Sequence, residues 1–267
     1  MKKLLLTIAL SFTLGFAYAE PAPQGRIYDA TARHDITPEA LISSLQQADI
    51  VLIGEKHDDS AHHEAELWLL QQTAEQRNKG SVLLEMIDAS QQKDVTEVQQ
   101  WLLNGGKTSE RRLAGKMNWN GAWDWTAYSG VMNFIMRQPA TVLAANPPRS
   151  QTLAATGFMP HGKNSSNFEV RKTLAELMDS NHGSTDGLVS MQQFKDHTMT
   201  ANLMAAPKPA WLLAGSIHTS KHLGVPLFLK DAAFPSKLKV VILTDKESDI
   251  DPGHGDYIWY LNQSVKH

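Results

Sequence analysis

Residues 49–70 read DIVLIGEKHDDSAHHEAELWLL, and the reading of this stretch decides the fold. Ile50, Val51, Leu52 and Ile53 follow one another without a polar residue between them. That is the pattern of a strand covered on both faces, not of one with a solvated side. Gly54 then gives way to a crowd of ionisable groups: Glu55, His57, Asp58, Asp59, His62, His63 and Glu64. A helix is expected from Ser60 to Asn78, with Asp59 or Ser60 as its N-cap and Asp58 and Asp59 favourable to its dipole. His63 shares a helical stripe with Leu67 and Leu70 and reads as a hydrogen-bonded core histidine, whereas His62 reads as solvated. Glu55 differs from both, because a carboxylate directly behind four aliphatic residues is costly unless it is paired.

The same strand-then-helix rhythm continues outward. "ITPEALISSLQQA" precedes the first strand as a helix, and residues 20–27 read as an exposed leader. "SVLLEM" (81–86), "TVLAAN" (141–146), "AWLLAGS" (210–216) and "KLKVVILT" (237–244) are further apolar strands, and a helix opening on Ser90 stops at Gly105. The fold class expected is therefore α/β, a mostly parallel sheet with helices on both faces. Residues 106–138 and 150–206 supply helices but no strand, and are expected to form a smaller helical lobe.

In an open parallel sheet, ligands collect beyond the carboxyl ends of the strands. Here those ends carry Glu55 and His57, then Glu85, then Asn146, then His218 after Gly215. Glu55, His57, Glu85 and His218 are the candidate pocket residues on this ground. A second informative stretch is "MNWNGAWDWTAYSGVMNFIM" (117–136), which holds three of the chain's seven tryptophans. On a helix from about Asp124, Trp125, Tyr128, Met132 and Ile135 make one apolar stripe. Such a stripe packs as core. Yet a buried phenol needs a partner, and an aromatic face with one hydroxyl also suits a large flat cofactor whose ferric iron takes a phenolate oxygen.

Composition narrows the class. The first residues have a basic start (Lys2, Lys3), an apolar run and the small-x-small signature Ala17-Tyr18-Ala19, so residues 1–19 read as a signal peptide and 20–267 as the exported chain. Removing Lys2 and Lys3 takes 25 basic and 28 acidic residues to 23 and 28, a net charge of −5. That balance argues against nucleic acid as a partner. The absence of cysteine excludes disulfides, covalent haem attachment and an N-terminal lipid anchor, and suits a soluble periplasmic protein.

Taken in order, "VLIGEKHDDSAHHEAELWLL", "VLLEM", Trp123-x-Trp125-x-x-Tyr128, "AANPPR", Gln192-x-x-x-Asp196-x-x-Met199 and "LLAGSIHTSKHLGVP" resemble the ChaN-like haem-binding family. That family shares a superfamily with the TraB and Tiki proteins and the erythromycin esterases. The resemblance implies a haem carrier of haem or iron uptake with no chemistry of its own, binding ferric haem non-covalently as stacked haems in a homodimer and working with haem-uptake components. It also implies Tyr128 as the iron ligand and a histidine meeting a propionate, for which His182 is the first choice and His161 and His197 are the rivals. The alternative, taken from the Tiki and esterase branches, is a hydrolase in which Glu55, His57, Glu85 and His218 hold a divalent metal or act as acid and base.

Overall fold

Five aliphatic runs of the sequence, together with three short segments, become strands of one sheet. The computed structural model describes residues 21–178, 185–245 and 248–262. The chain begins with strands β1 (Gly25–Asp29) and β2 (His34–Ile36), helix α1 (Pro38–Gln46), β3 (Ile50–Glu55), α2 (Ser60–Arg77) and β4 (Ser81–Asp88). Next come α3 (Gln92–Leu103), α4 (Glu110–Lys116), α5 (Trp125–Ile135), β5 (Thr141–Asn146), α6 (Arg149–Ala154), α7 (Phe168–Met178) and α8 (Thr185–Ala205). It closes with β6 (Ala210–Gly215), α9 (Ser216–Thr219), α10 (Val225–Asp231), β7 (Leu238–Asp245) and β8 (Tyr257–Leu261).

The strand order is β2-β1-β8-β7-β3-β6-β4-β5. From β8 to β5 all neighbours run parallel, while β1 pairs antiparallel with both β8 and β2. Side chains alternate across each strand, so each strand feeds two cores. Val51 and Ile53 face α1 to α5 together with Leu84, Leu213 and Val241, whereas Ile50 and Leu52 face Met199, Leu203, Val225 and Leu229 of α8 and α10. The continuous apolar runs are therefore the cost of a sheet buried on both sides.

Three expectations are corrected. Residues 25–29 form a strand paired on both sides, not a leader, and the "YIWYL" tail completes the sheet beside them. Gln91, not Ser90, stands at the start of α3, while Ser90 Oγ donates to Asp88. Residues 106–138 do not stand apart as a lobe: Leu113, Tyr128, Val131, Met132 and Ile135 belong to the main core, because α5 lies along α2. What remains of the lobe is α6, α7 and the start of α8, with a small core of Leu174, Val189 and Leu223.

The opposite end of the sheet is tied by one cation. Arg77 is buried and donates to the carbonyls of Leu45, Ala48 and Ala210 at 3.0, 2.7 and 2.7 Å, with its guanidinium over the Trp211 ring. Burial lowers its pKa to about 10, so it stays charged at neutral pH. Arg77→Ala leaves three buried acceptors without their donor and is expected to cost about 3 kcal/mol or more. Urea unfolding measures it, and an unchanged midpoint would show that those carbonyls find other donors.

Candidate functional site

Register brings the strand ends together. In the β3/β6 pairing Glu55 lies opposite Gly215, and β4 flanks β6 on its other side. Gly54 and Gly215 are required by close approach: a Cβ on Gly54 would collide with Thr219 Oγ1, and one on Gly215 would lie 2.9 Å from His57 Nε2. Glu55, His57, Glu85 and His218, proposed separately from four positions, thus line one crevice.

Glu85 is the hub. Its carboxylate is 2% exposed and accepts from Lys195 Nζ at 2.6 Å and from the Gly215 N–H at 2.9 Å, with His218 Nε2 at 3.1 Å. Burial alone would raise its pKa, but His218 and Lys195 outweigh that and hold it well below the usual carboxylate range. His218 is clamped at both nitrogens, with Nδ1 2.6 Å from Asp196 and Nε2 on Glu85. Burial opposes its charge, yet Glu85 and Asp196 raise its pKa to about 9. Asp196 is itself pushed upward by burial.

A second group stands beside the first. His57 Nδ1 donates to Glu55 Oε1 at 2.7 Å, and the Tyr128 hydroxyl donates to the same oxygen at 2.7 Å. His63 gives one nitrogen to Glu66 and the other to the His57 carbonyl, so both its nitrogens act as donors and its pKa rises to about 9 against the pull of burial. With its side chain 37% exposed, His57 is the histidine of this group that reaches the crevice. Burial lowers its proton affinity, and the Glu55 contact more than reverses that. Its ring meets Trp123 edge-on.

Tyr128 sits where core packing places it. It is 1% exposed, held among His63, Trp119 and Trp123, and its hydroxyl is spent on Glu55. Burial and Glu55 push its pKa far above the ordinary phenol value. Expected as an iron ligand, this oxygen is protonated and faces inward, and no tyrosine lines the crevice among the described residues. As placed, it does not fit a haem iron. His182 lies outside the described residues. His161 and His197 lie outside the crevice lining. His62, expected in solvent, is 1% exposed, because its Nδ1 accepts the Lys56 N–H.

Nor does the crevice suit a divalent metal as it stands. Lys195 already brings a positive charge to Glu85 and His218, the donors an ion would need. A compact set of possible donors does occur at Asp59, His62 and Asp245. There, however, the hydrogen bond from Lys56 leaves the proton of a neutral His62 on Nε2, the very atom that faces the carboxylates.

The crevice continues past Glu85, Trp123, Gln192 and Lys195 into a second cleft of ≈ 500 Å³ under α6 and α8, beside the ≈ 670 Å³ at the strand ends. Sequence reading missed this half. Its signal was present in Arg149, which entered only as the end of "AANPPR", and in Leu153 and Met191, in the segment taken as a lobe.

Residues 41–229 match the family described as "Haem-binding uptake, Tiki superfamily, ChaN". The chain belongs to that family. Among solved structures it is similar to ChaN of Campylobacter jejuni, described as binding haem cofacially, at 29% identity and a TM-score of 0.81. That match covers 89% of this chain and 97% of the other. An erythromycin esterase, EreC, is a more distant likeness at 12% identity and a TM-score of 0.45, covering 85% of this chain and 80% of its own. No curated protein matches. The Campylobacter likeness places this mostly parallel α/β fold within the ChaN architecture.

The paired histidines set a pH dependence. His63 and His218 keep a proton in the folded state up to about pH 9 but lose it near 6.5 when unfolded. Their stabilisation is complete below pH 6.5 and disappears as pH rises through 9. Unfolding free energy should therefore fall between pH 6.5 and 9, by up to about 1.4 kcal/mol per pH unit for each histidine. A flat profile over that range would mean that neither imidazole is charged in the fold.

Proposed function

We propose that this chain is an exported periplasmic haem carrier of haem or iron uptake, binding ferric haem non-covalently and pairing with a second chain when loaded. The observation that carries the reading is the family match across 41–229 together with the 29% identical Campylobacter protein, whose haems are cofacial. The open crevice is consistent with a cargo that is taken up and released, and the lack of cysteine favours a non-covalent hold. Haem supplies the iron to be carried, and this chain's residues bind and orient it. Ligation by Tyr128, the form the resemblance implies, requires that phenol to leave Glu55 and lose its proton.

Haemin titration followed at the Soret band, with sedimentation of the loaded protein, tests the reading. Saturable binding with a shift from one chain to two is expected, and an unchanged Soret band would end the haem assignment. Because Tyr128 is sealed, Tyr128→Phe is expected to keep most of its haemin affinity. A loss of most of it would put the iron on that oxygen.

The convergence of Glu55, His57, Glu85 and His218 supports a second reading, a metal-independent hydrolase. His57 would take a proton from water at Nε2 while its Nδ1–H stays on Glu55, and Lys195 and His218 would hold Glu85 ionised beside it. Haem-free protein assayed on a panel of esters should then show turnover that His57→Ala reduces about a hundredfold or more. Turnover untouched by that change would remove His57 from any such role.

A further inference from the structure

We propose that the cleft under α6 and α8 is a porphyrin-dicarboxylate site in which Arg149 receives a propionate. The proposal rests on the haem reading and deepens it by naming the group that recognises the cargo. The cleft is walled by Met86, Trp123, Leu153, Leu188 and Met191, thioether, aromatic and aliphatic side chains that fit a flat apolar ring. Leu153 is 56% exposed, an apolar side chain left in water at the mouth.

The charges of the lining decide the class of ligand. Glu85 is already matched by Lys195, His218 and the Gly215 amide, and Asp88 Oδ1 accepts from the Ser90 amide and hydroxyl at 2.7 and 2.5 Å. Glu85 is thus neutralised within the protein, while Asp88 keeps its charge with one oxygen turned to Ser90. Arg149 stands exposed at the rim with no hydrogen bond or ion pair to any described residue. A planar guanidinium at the lip of an apolar slot matches a ligand that is flat and greasy in its body and carboxylate-bearing at its edge. Recognition of this kind acts on the periphery of the macrocycle and does not need the metal.

Three probes separate the parts: haemin, iron-free protoporphyrin IX, and haemin dimethyl ester, in which both propionates are uncharged. Wild-type protein should bind the two dicarboxylates with similar affinity and the ester more weakly, read by absorbance and tryptophan quenching. Arg149→Ala should weaken both dicarboxylates about tenfold or more and leave the ester unchanged, as loss of a charge-assisted contact requires. Leu153→Ser, which changes the slot and adds no charge beside the cation, should weaken all three. If Arg149→Ala binds haemin as tightly as wild type, or protoporphyrin IX fails where haemin binds, the inference is overturned while the haem reading stands. If wild type binds none of the three, the haem reading falls and takes this inference with it.

Discussion

A carboxylate at the end of a strand buried on both faces has to be matched charge for charge, and in this protein Glu85 is that carboxylate. Lys195 and His218 reach it from the far side of the crevice, the Gly215 amide reaches it from the neighbouring strand, and His57 stands 3.7 Å away. These groups come from β4, α8, β6 with α9, and the turn after β3, so a single desolvated charge draws together elements distant in sequence. Remove the matching cations and the cost of burying Glu85 falls on the same strand that lies between β5 and β6.

The second carboxylate, Glu55, is held in the same manner by His57 and Tyr128, with His63 behind it. The two clusters meet at His57, whose one nitrogen faces Glu55 and whose other nitrogen faces Glu85. Both histidines that are clamped at two nitrogens are pinned as cations, while His57, more exposed, is left to exchange with the crevice. The result is a floor of paired charges with an apolar cleft alongside. Glu85 is fully matched, while one buried oxygen each of Glu55 and Asp196 has no hydrogen-bond partner among the described residues.

Much of this was legible beforehand. The five runs around Ile53, Leu84, Ala144, Leu213 and Val241 announced a sheet covered on both faces, and glycine next to glutamate and histidine at the strand ends marked the crevice. The first two strands were not legible, because "GRIYD" and "HDI" are short and polar and owe their extended form to pairing, the first with β8 and the second with the first. His62 was misread for a related reason: helical periodicity cannot show that a backbone amide from the preceding turn will bury its ring. Tyr128 could be placed on an apolar stripe, but the stripe did not say that Glu55 would claim its hydroxyl from 73 residues away.

The amino-acid sequence by itself determined which segments are buried strands, which ends carry ionisable groups, and, through ordered motifs, the family. Those properties follow from local pattern and from the solvation cost of each side chain taken alone. Only the tertiary structure decided which charges neutralise which, leaving Glu85 satisfied, Tyr128 sealed and Arg149 without a partner among the described residues. The reason is that the pairing of charges depends on distances across the sheet and between layers, and distances of that kind are set by packing.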